Sequence, residues 1–318
     1  MIERRGIVLD LDDLHDEWPG LLHQANLNVL GLHNWGPEPE IRSKIDAMIR
    51  FFESAEGFRL ANRLDDLNIG LEFELHAMCW LLPSEYYGRH PHWFRMDENG
   101  VRTPHDNFCP SSEGALEIVR DQAIRLARKL KPTTGRYYMW QDDNKPWCRC
   151  ENCRTYSDGD QNLLVMNAIL EAIRTVDRHA KLSYLDYMAT LESPPGKVRP
   201  HEGIFLEITG PGIHRMNESG LRGVDGDEKF QQALARNLTV FGTEEAQVLE
   251  YWLDVSLQSR WRKPAGKLRF DEVAAARDIA YYRSQGIRSI TSFGVFMDQS
   301  YFREHGIPPV EAYGRLLE

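Results

Sequence analysis

Residues 140–153 read WQDDNKPWCRCENC, and two chemistries overlap in them. Asp142 and Asp143 are adjacent carboxylates, the group type that donates and retrieves protons in general acid–base catalysis. Cys148, Cys150 and Cys153 form C-x-C-x-x-C, and Cys109 stands upstream in NFCPSS. Four thiolates around one tetrahedral zinc leave no position for water, so this spacing predicts a structural metal rather than a catalytic one. The alternatives are free thiols in a polar loop or, less in keeping with a reducing compartment, a disulfide. Cys79, in HAMCWLL, is expected in the core.

The elements that must position these groups follow from the apolar pattern. β-rich segments at 4–12, 27–35, 68–78, 135–143, 181–189, 202–210, 247–256 and 287–297 alternate with helical stretches at 16–26, 40–64, 114–130, 162–176, 228–238 and 270–286. In the stretch 40–64, Ile41, Ile45, Met48, Ile49 and Phe52 recur at spacings of three and four, which is one helix face. Segment 247–256 reads as a seventh strand, though its pattern also suits a helix. Eight β-then-α units without a linker or composition break predict the α/β class, as a single (β/α)8 TIM barrel over 1–318. A cysteine-rich metal loop is expected at about 145–158 and a long loop at about 82–112. No G-x-G-x-x-G or P-loop follows any strand, which disfavours a doubly wound open sheet.

In such barrels the functional side chains gather at the carboxyl ends of the strands. Those ends supply Asp10 and Asp12, then His33, Asn34 and Trp35, then Glu74 and His76. Further along come Gln141, Asp142 and Asp143, then Asp186 and Tyr187, then Glu207, and finally Glu250, Tyr251, Trp252 and Asp254. Carboxylates, amides, imidazoles and aromatic rings together are what a sugar pocket needs, although some of these side chains will face helices instead. Glycoside hydrolysis uses two carboxyl groups flanking the scissile bond. Asp142 or Asp143 is the expected general acid and Glu207 the expected partner, with Glu250 or Asp254 behind it. Neighbours along a strand point to opposite faces, so only one of the aspartates faces the mouth unless the strand has already ended. Asp10, His33, Asn34, Trp35, Glu74, His76, Gln141, Tyr187 and Tyr251 are the expected sugar-binding residues. Lys145 and Arg89 either face an acidic sugar or are solvated loop cations.

Composition narrows the classes. The chain is 42% hydrophobic and 27% charged, as a globular protein of 318 residues should be. A net charge of −10 argues against a nucleic-acid or anionic-membrane surface. No run of apolar residues is long enough to cross a bilayer. The first residues, MIERRGIVLDLDDL, read as a strand rather than a signal peptide, so a cytoplasmic location is expected. The expected partner is a small carbohydrate or oligosaccharide, with self-association into a homo-oligomer as an option.

The stretch WQDDN…CRCENC with the upstream FCPSS resembles the zinc-bearing β-galactosidases of glycoside hydrolase family 42. Trp140, Gln141, Asp143, Asn144, Cys109, Cys148, Cys150 and Cys153 match that family's strand-four ending and cysteine set, which implies zinc at the four cysteines. The acid/base glutamate that follows the asparagine in that family is Lys145 here. A second resemblance runs through H-N-W, C-P-S-S, the D-D-N…C-x-C-x-x-C stretch and YMATLESPP, over residues 27 to 210. It points to a barrel family of unknown function found beside α-glucuronidase-type and hexosaminidase-type modules. In hexosaminidase-type barrels one carboxyl of an adjacent acidic pair donates the proton and the other orients an N-acetyl nucleophile. Together these imply a glycoside hydrolase acting on an acidic or N-acetylated sugar. The alternatives are a carbohydrate-binding barrel without catalysis, or a barrel isomerase or lyase.

Overall fold

The computed structural model describes residues 1–34, 36, 40–210 and 227–318. Among the described residues there are eight strands: β1 (Arg4–Asp10), β2 (Val29–His33), β3 (Gly70–His76), β4 (Arg136–Trp140), β5 (Lys181–Asp186), β6 (Ile204–Thr209), β7 (Gln247–Glu250) and β8 (Ser289–Phe293). They close into a barrel in chain order, and the fold is a (β/α)8 barrel of the α/β class. The strands are buried along almost their whole length, as parallel strands covered on both faces must be.

The described helices are α1 (Trp18–Gln24), α2 (Glu40–Phe52), α3 (Ala55–Asp66), α4 (Met78–Leu81), α5 (Glu113–Lys129), α6 (Asp158–Arg174) and α7 (Ala189–Glu192). After β6 come α8 (Glu228–Phe241), α9 (Glu272–Ser284), α10 (Gln299–His305) and α11 (Val310–Leu317). The stretch expected as one helix over 40–64 is two. Ser54 breaks it by accepting the Gly57 N–H at 3.3 Å, and a Cβ on Gly57 would lie 2.2 Å from the Phe51 carbonyl oxygen. The seventh strand is four residues long, and 251–256 is loop rather than strand.

The chain divides into two compact units. The first comprises Met1–His33, Phe58–Glu72 and Leu206–Glu318. Its strand interior is polar: Arg4 binds Glu72, Gln247 and Ser289, and the Gln247 amide donates to Glu207 at 2.8 Å. Side-chain caps start some of its helices, α9 and α10 among them. Asp271 accepts the Val273 and Ala274 N–H groups of α9, and Asp298 accepts those of Ser300 and Tyr301 in α10. Each such cap stabilises by about 1 kcal/mol.

The second unit comprises Asn34–Gly57 and Phe73–Phe205. Here α6 begins with a reciprocal capping box between Ser157 and Asp160. Asp160 Oδ1 also accepts the N–H groups of Gly196, Lys197 and Val198 at 2.8–2.9 Å, which ties the loop after α7 to the start of α6. Burial opposes ionisation of this carboxyl, but those donors outweigh it and hold its pKa below the ordinary range. Cys79 lies buried in α4, apart from the other cysteines.

Candidate functional site

β4 ends at Trp140, so Gln141, Asp142 and Asp143 lie past the strand and no longer alternate between its faces. They open a tight turn. The Lys145 N–H donates to the Asp142 carbonyl at 3.3 Å, and Asn144 turns the chain with a φ of 53°. Asn107, fully buried, clamps both ends of the turn. Its Oδ1 accepts the Asp142 N–H at 3.0 Å and its Nδ2 donates to the Lys145 carbonyl at 2.7 Å.

The two aspartates serve different neighbours. Asp143 is half-buried, and its carboxylate lies near enough to the Tyr187 hydroxyl to act on that phenol. Burial first, and then the adjacent carboxylate, hold that phenol well above its ordinary pKa, so it stays a proton-bearing donor. The charge of Asp143 also acts on His76, the last residue of β3. His76 Nδ1 lies 2.5 Å from the Gln141 carbonyl oxygen, which can only accept, so Nδ1 carries the ring proton. Burial lowers the pKa of His76, against the pull of Asp143, and the ring is neutral with Nε2 as an acceptor. Asn34 holds His76 from behind, accepting its backbone N–H at 3.0 Å and donating to its carbonyl at 3.2 Å.

Asp142, 3% exposed, lines a cleft of about 230 Å³ formed by the turn and the exit of β5. Gln141, Asn144 and Lys145 line it from the turn, and Tyr187, Met188 and Glu192 from the β5 exit. Thr190 fixes the Tyr187 main chain by accepting its N–H at 2.9 Å and donating to its carbonyl at 3.0 Å. Asp143 is not part of this lining; Tyr187 is the residue shared by the two places. Arg89 is exposed on its loop, outside the cleft lining. Glu74 is fully buried within β3, in register with Tyr138.

The sulfurs of Cys109, Cys148, Cys150 and Cys153 all lie within 4.8 Å of one another. Cys109 Sγ is 3.7 Å from both Cys150 Sγ and Cys153 Sγ. A tetrahedron of thiolates at zinc–sulfur distances of about 2.3 Å has edges of about 3.8 Å, so the cluster fits such an ion. Hydrogen bonds from the Cys148 and Cys153 thiols favour Cys109 as a thiolate, and the Met96 N–H points at Cys148 Sγ at 3.4 Å. These four buried cysteines are compatible with a metal site. The cluster joins the loop carrying Asn107 to the segment that follows Lys145.

In the first unit, Asp10 caps the turn after β1 by accepting the Asp12 N–H at 3.0 Å. His33 and Tyr251 both pack on Phe293, at ring distances of 5.1 and 5.2 Å. Glu207 is fully buried inside β6, paired in register with the first residue of β7, and not at the strand end. Glu250 accepts from the Tyr282 hydroxyl of α9, on the helix side of its strand. A Cβ at Gly210 would lie 2.1 Å from the Glu250 carboxyl carbon, so only glycine lets that carboxylate pass. Asp254 is 4% exposed on the loop after β7 and accepts the Ser256 N–H at 2.7 Å. Burial pushes its carboxyl up to about 6. Trp35 lies outside the described residues. Asn107 and Glu192 carry no sequence signal of their own, because their parts depend on which loops meet.

The closed ring of eight parallel strands with its helices defines the class of fold as a (β/α)8 barrel. The domain-of-unknown-function model DUF4838 matches residues 44–299, and the chain belongs to that family. No curated protein matches the sequence. Among solved structures, a GH20 catalytic module of the pneumococcal exo-β-D-N-acetylglucosaminidase StrH is 11% identical over 99% of this chain and 82% of that one, with a TM-score of 0.50. A β-galactosidase from Marinomonas ef1 is 10% identical over 99% and 59%, with a TM-score of 0.52. An α-amylase from Lactobacillus plantarum is 9% identical over 98% and 79%, with a TM-score of 0.54. The chain thus spans less than two thirds of the β-galactosidase, and the likeness to all three is one of fold. Among the described residues, no helix is long and apolar enough to cross a membrane.

Proposed function

We propose that this protein is a glycoside hydrolase in which the Asp143 carboxyl group is the general acid–base. The observation that carries this reading is the influence of the Asp143 carboxylate on both the Tyr187 phenol and the buried, neutral His76. Asp143 protonates the departing glycosidic oxygen, and its carboxylate then takes a proton from the incoming water. The Tyr187 hydroxyl steadies the carboxylate formed in the first step. His76 supplies a neutral acceptor rather than a counter-charge.

Asp142, on the cleft side of the same turn, acts as the second carboxyl group. Its role follows the adjacent acidic pairs of hexosaminidase-type barrels, orienting an N-acetyl group that attacks from within the substrate. An N-acetylated sugar is therefore the favoured substrate and an acidic sugar the second. Glu207 keeps its carboxylate on Gln247 in the strand interior, so we give proton transfer to Asp143 and assign Glu207 to positioning that interior. Zinc in the cysteine cluster would be structural, pinning the loop that bears Asn107 and so the turn. A panel of chromogenic glycosides, including N-acetylhexosaminides and glucuronides, tests the reading against Asp143→Asn. No turnover of any member, alongside measurable sugar binding, would sink the enzyme.

A further inference from the structure

The cleft beside the turn has an unusual charge balance. The Lys145 ammonium, half-buried in the lining, makes no hydrogen bond or ion pair among the described residues, and neither do the Asn144 amide and the Glu192 carboxylate. Gln141 is 5% exposed, and its Nε2 reaches the Tyr187 carbonyl and the Thr190 hydroxyl while its Oε1 has no partner. A buried amide oxygen left without a donor costs free energy that a ligand hydroxyl or N–H recovers.

The signs of the lining charges select the ligand. Asp142 and Glu192 stand against one ammonium, so an anionic ligand meets two repelling carboxylates. A cationic ligand meets Lys145. A neutral polyol meets neither penalty, because its hydroxyls donate to carboxylates and accept from an ammonium in the same pose. Pro146, Met188 and Ala189 add apolar surface for the carbon face of a ring.

We infer that this cleft is a subsite for a neutral, hydroxyl-rich sugar unit, adjoining the Asp143 centre across Tyr187. The substrate is then longer than a single sugar on a small leaving group. That role in turnover rests on the hydrolase reading; the binding itself does not.

The test is calorimetric or saturation-transfer binding to the full chain, using N-acetylglucosamine, methyl glucoside and methyl galactoside as neutral probes. Glucuronate and glucosamine serve as the charged ones. At least one neutral sugar should bind more tightly than both charged probes. Glu192→Ala and Lys145→Ala should each weaken it roughly tenfold, the effect of losing one hydrogen bond to a charged group. Glu192 is exposed, so its variant leaves folding aside. Tighter binding of glucuronate or glucosamine, or indifference to both substitutions, overturns the subsite. So does absence of saturable binding up to about 100 mM, beyond which an affinity has no specific content. Substitution-sensitive binding without turnover of any glycoside would remove the hydrolase reading and keep the cleft. Asp143-dependent turnover of oligosaccharides that is untouched by Glu192→Ala would do the reverse.

Discussion

Asn107 accepts the backbone N–H of Asp142 at 3.0 Å, and the same amide donates to the Lys145 carbonyl at 2.7 Å. One buried side chain, two positions before Cys109, thereby sets the curvature of the turn that presents both aspartates. The cysteine cluster and the aspartate turn are consequently one mechanical assembly. Holding a reacting carboxyl in place from a rigid support is what preserves its geometry during catalysis.

Asn107→Ala removes both bonds and leaves the Asp142 N–H buried without its acceptor. The expected loss is about 2–4 kcal/mol of unfolding free energy. Urea denaturation of the variant measures it, and a loss under about 0.5 kcal/mol, the size of an ordinary surface change, would show that the clamp is not needed.

Asp143→Asn should lower glycoside turnover by about 100- to 10,000-fold, the usual worth of a positioned acid–base group. Tyr187→Phe, which keeps the ring and removes the hydroxyl, should cost less, roughly tenfold, mainly in kcat. Equal and full activity in both variants would take the turn out of the mechanism.

Asp254 makes stability depend on pH in a defined window. Its carboxyl rises from 3.8 to about 6 in the folded state, so the folded chain holds the proton more tightly than the unfolded one. Its contribution is fully present below about pH 4 and is lost as pH rises through about 6. Asp254→Asn should remove that decline and make the protein more stable at pH 7.5 by up to about 3 kcal/mol. Thermal unfolding of both proteins from pH 4 to 7.5 checks it; parallel profiles would contradict the buried charge.

Metal content should be about one zinc per chain, as four thiolates in a closed tetrahedral site require. Stripping the metal should lower the thermal midpoint by more than about 5 °C, because the ion joins two separate chain segments. Cys153→Ser should bind less than about half an equivalent under the same conditions. Cobalt substitution offers a second readout through thiolate charge-transfer bands, and their absence would count against the four-sulfur arrangement.

The alternation of apolar segments determined the number and order of the strands, because periods of two and of three to four are local properties of the chain. The close set of Cys148, Cys150 and Cys153 was equally legible, since six residues of loop suffice to bring three sulfurs together. Tertiary structure decided everything that depends on register. β4 stops at Trp140 rather than running to 143, and this frees Asp142 and Asp143 to serve different neighbours. Glu250 turns to Tyr282 and Glu207 to Gln247, although both looked like strand-end carboxylates in the sequence. The approach of Tyr187 to Asp143 and the clamp from Asn107 bring together residues 44 and 35 positions apart. Such contacts exist only once neighbouring elements are paired in a particular register, which hydrophobic periodicity does not encode.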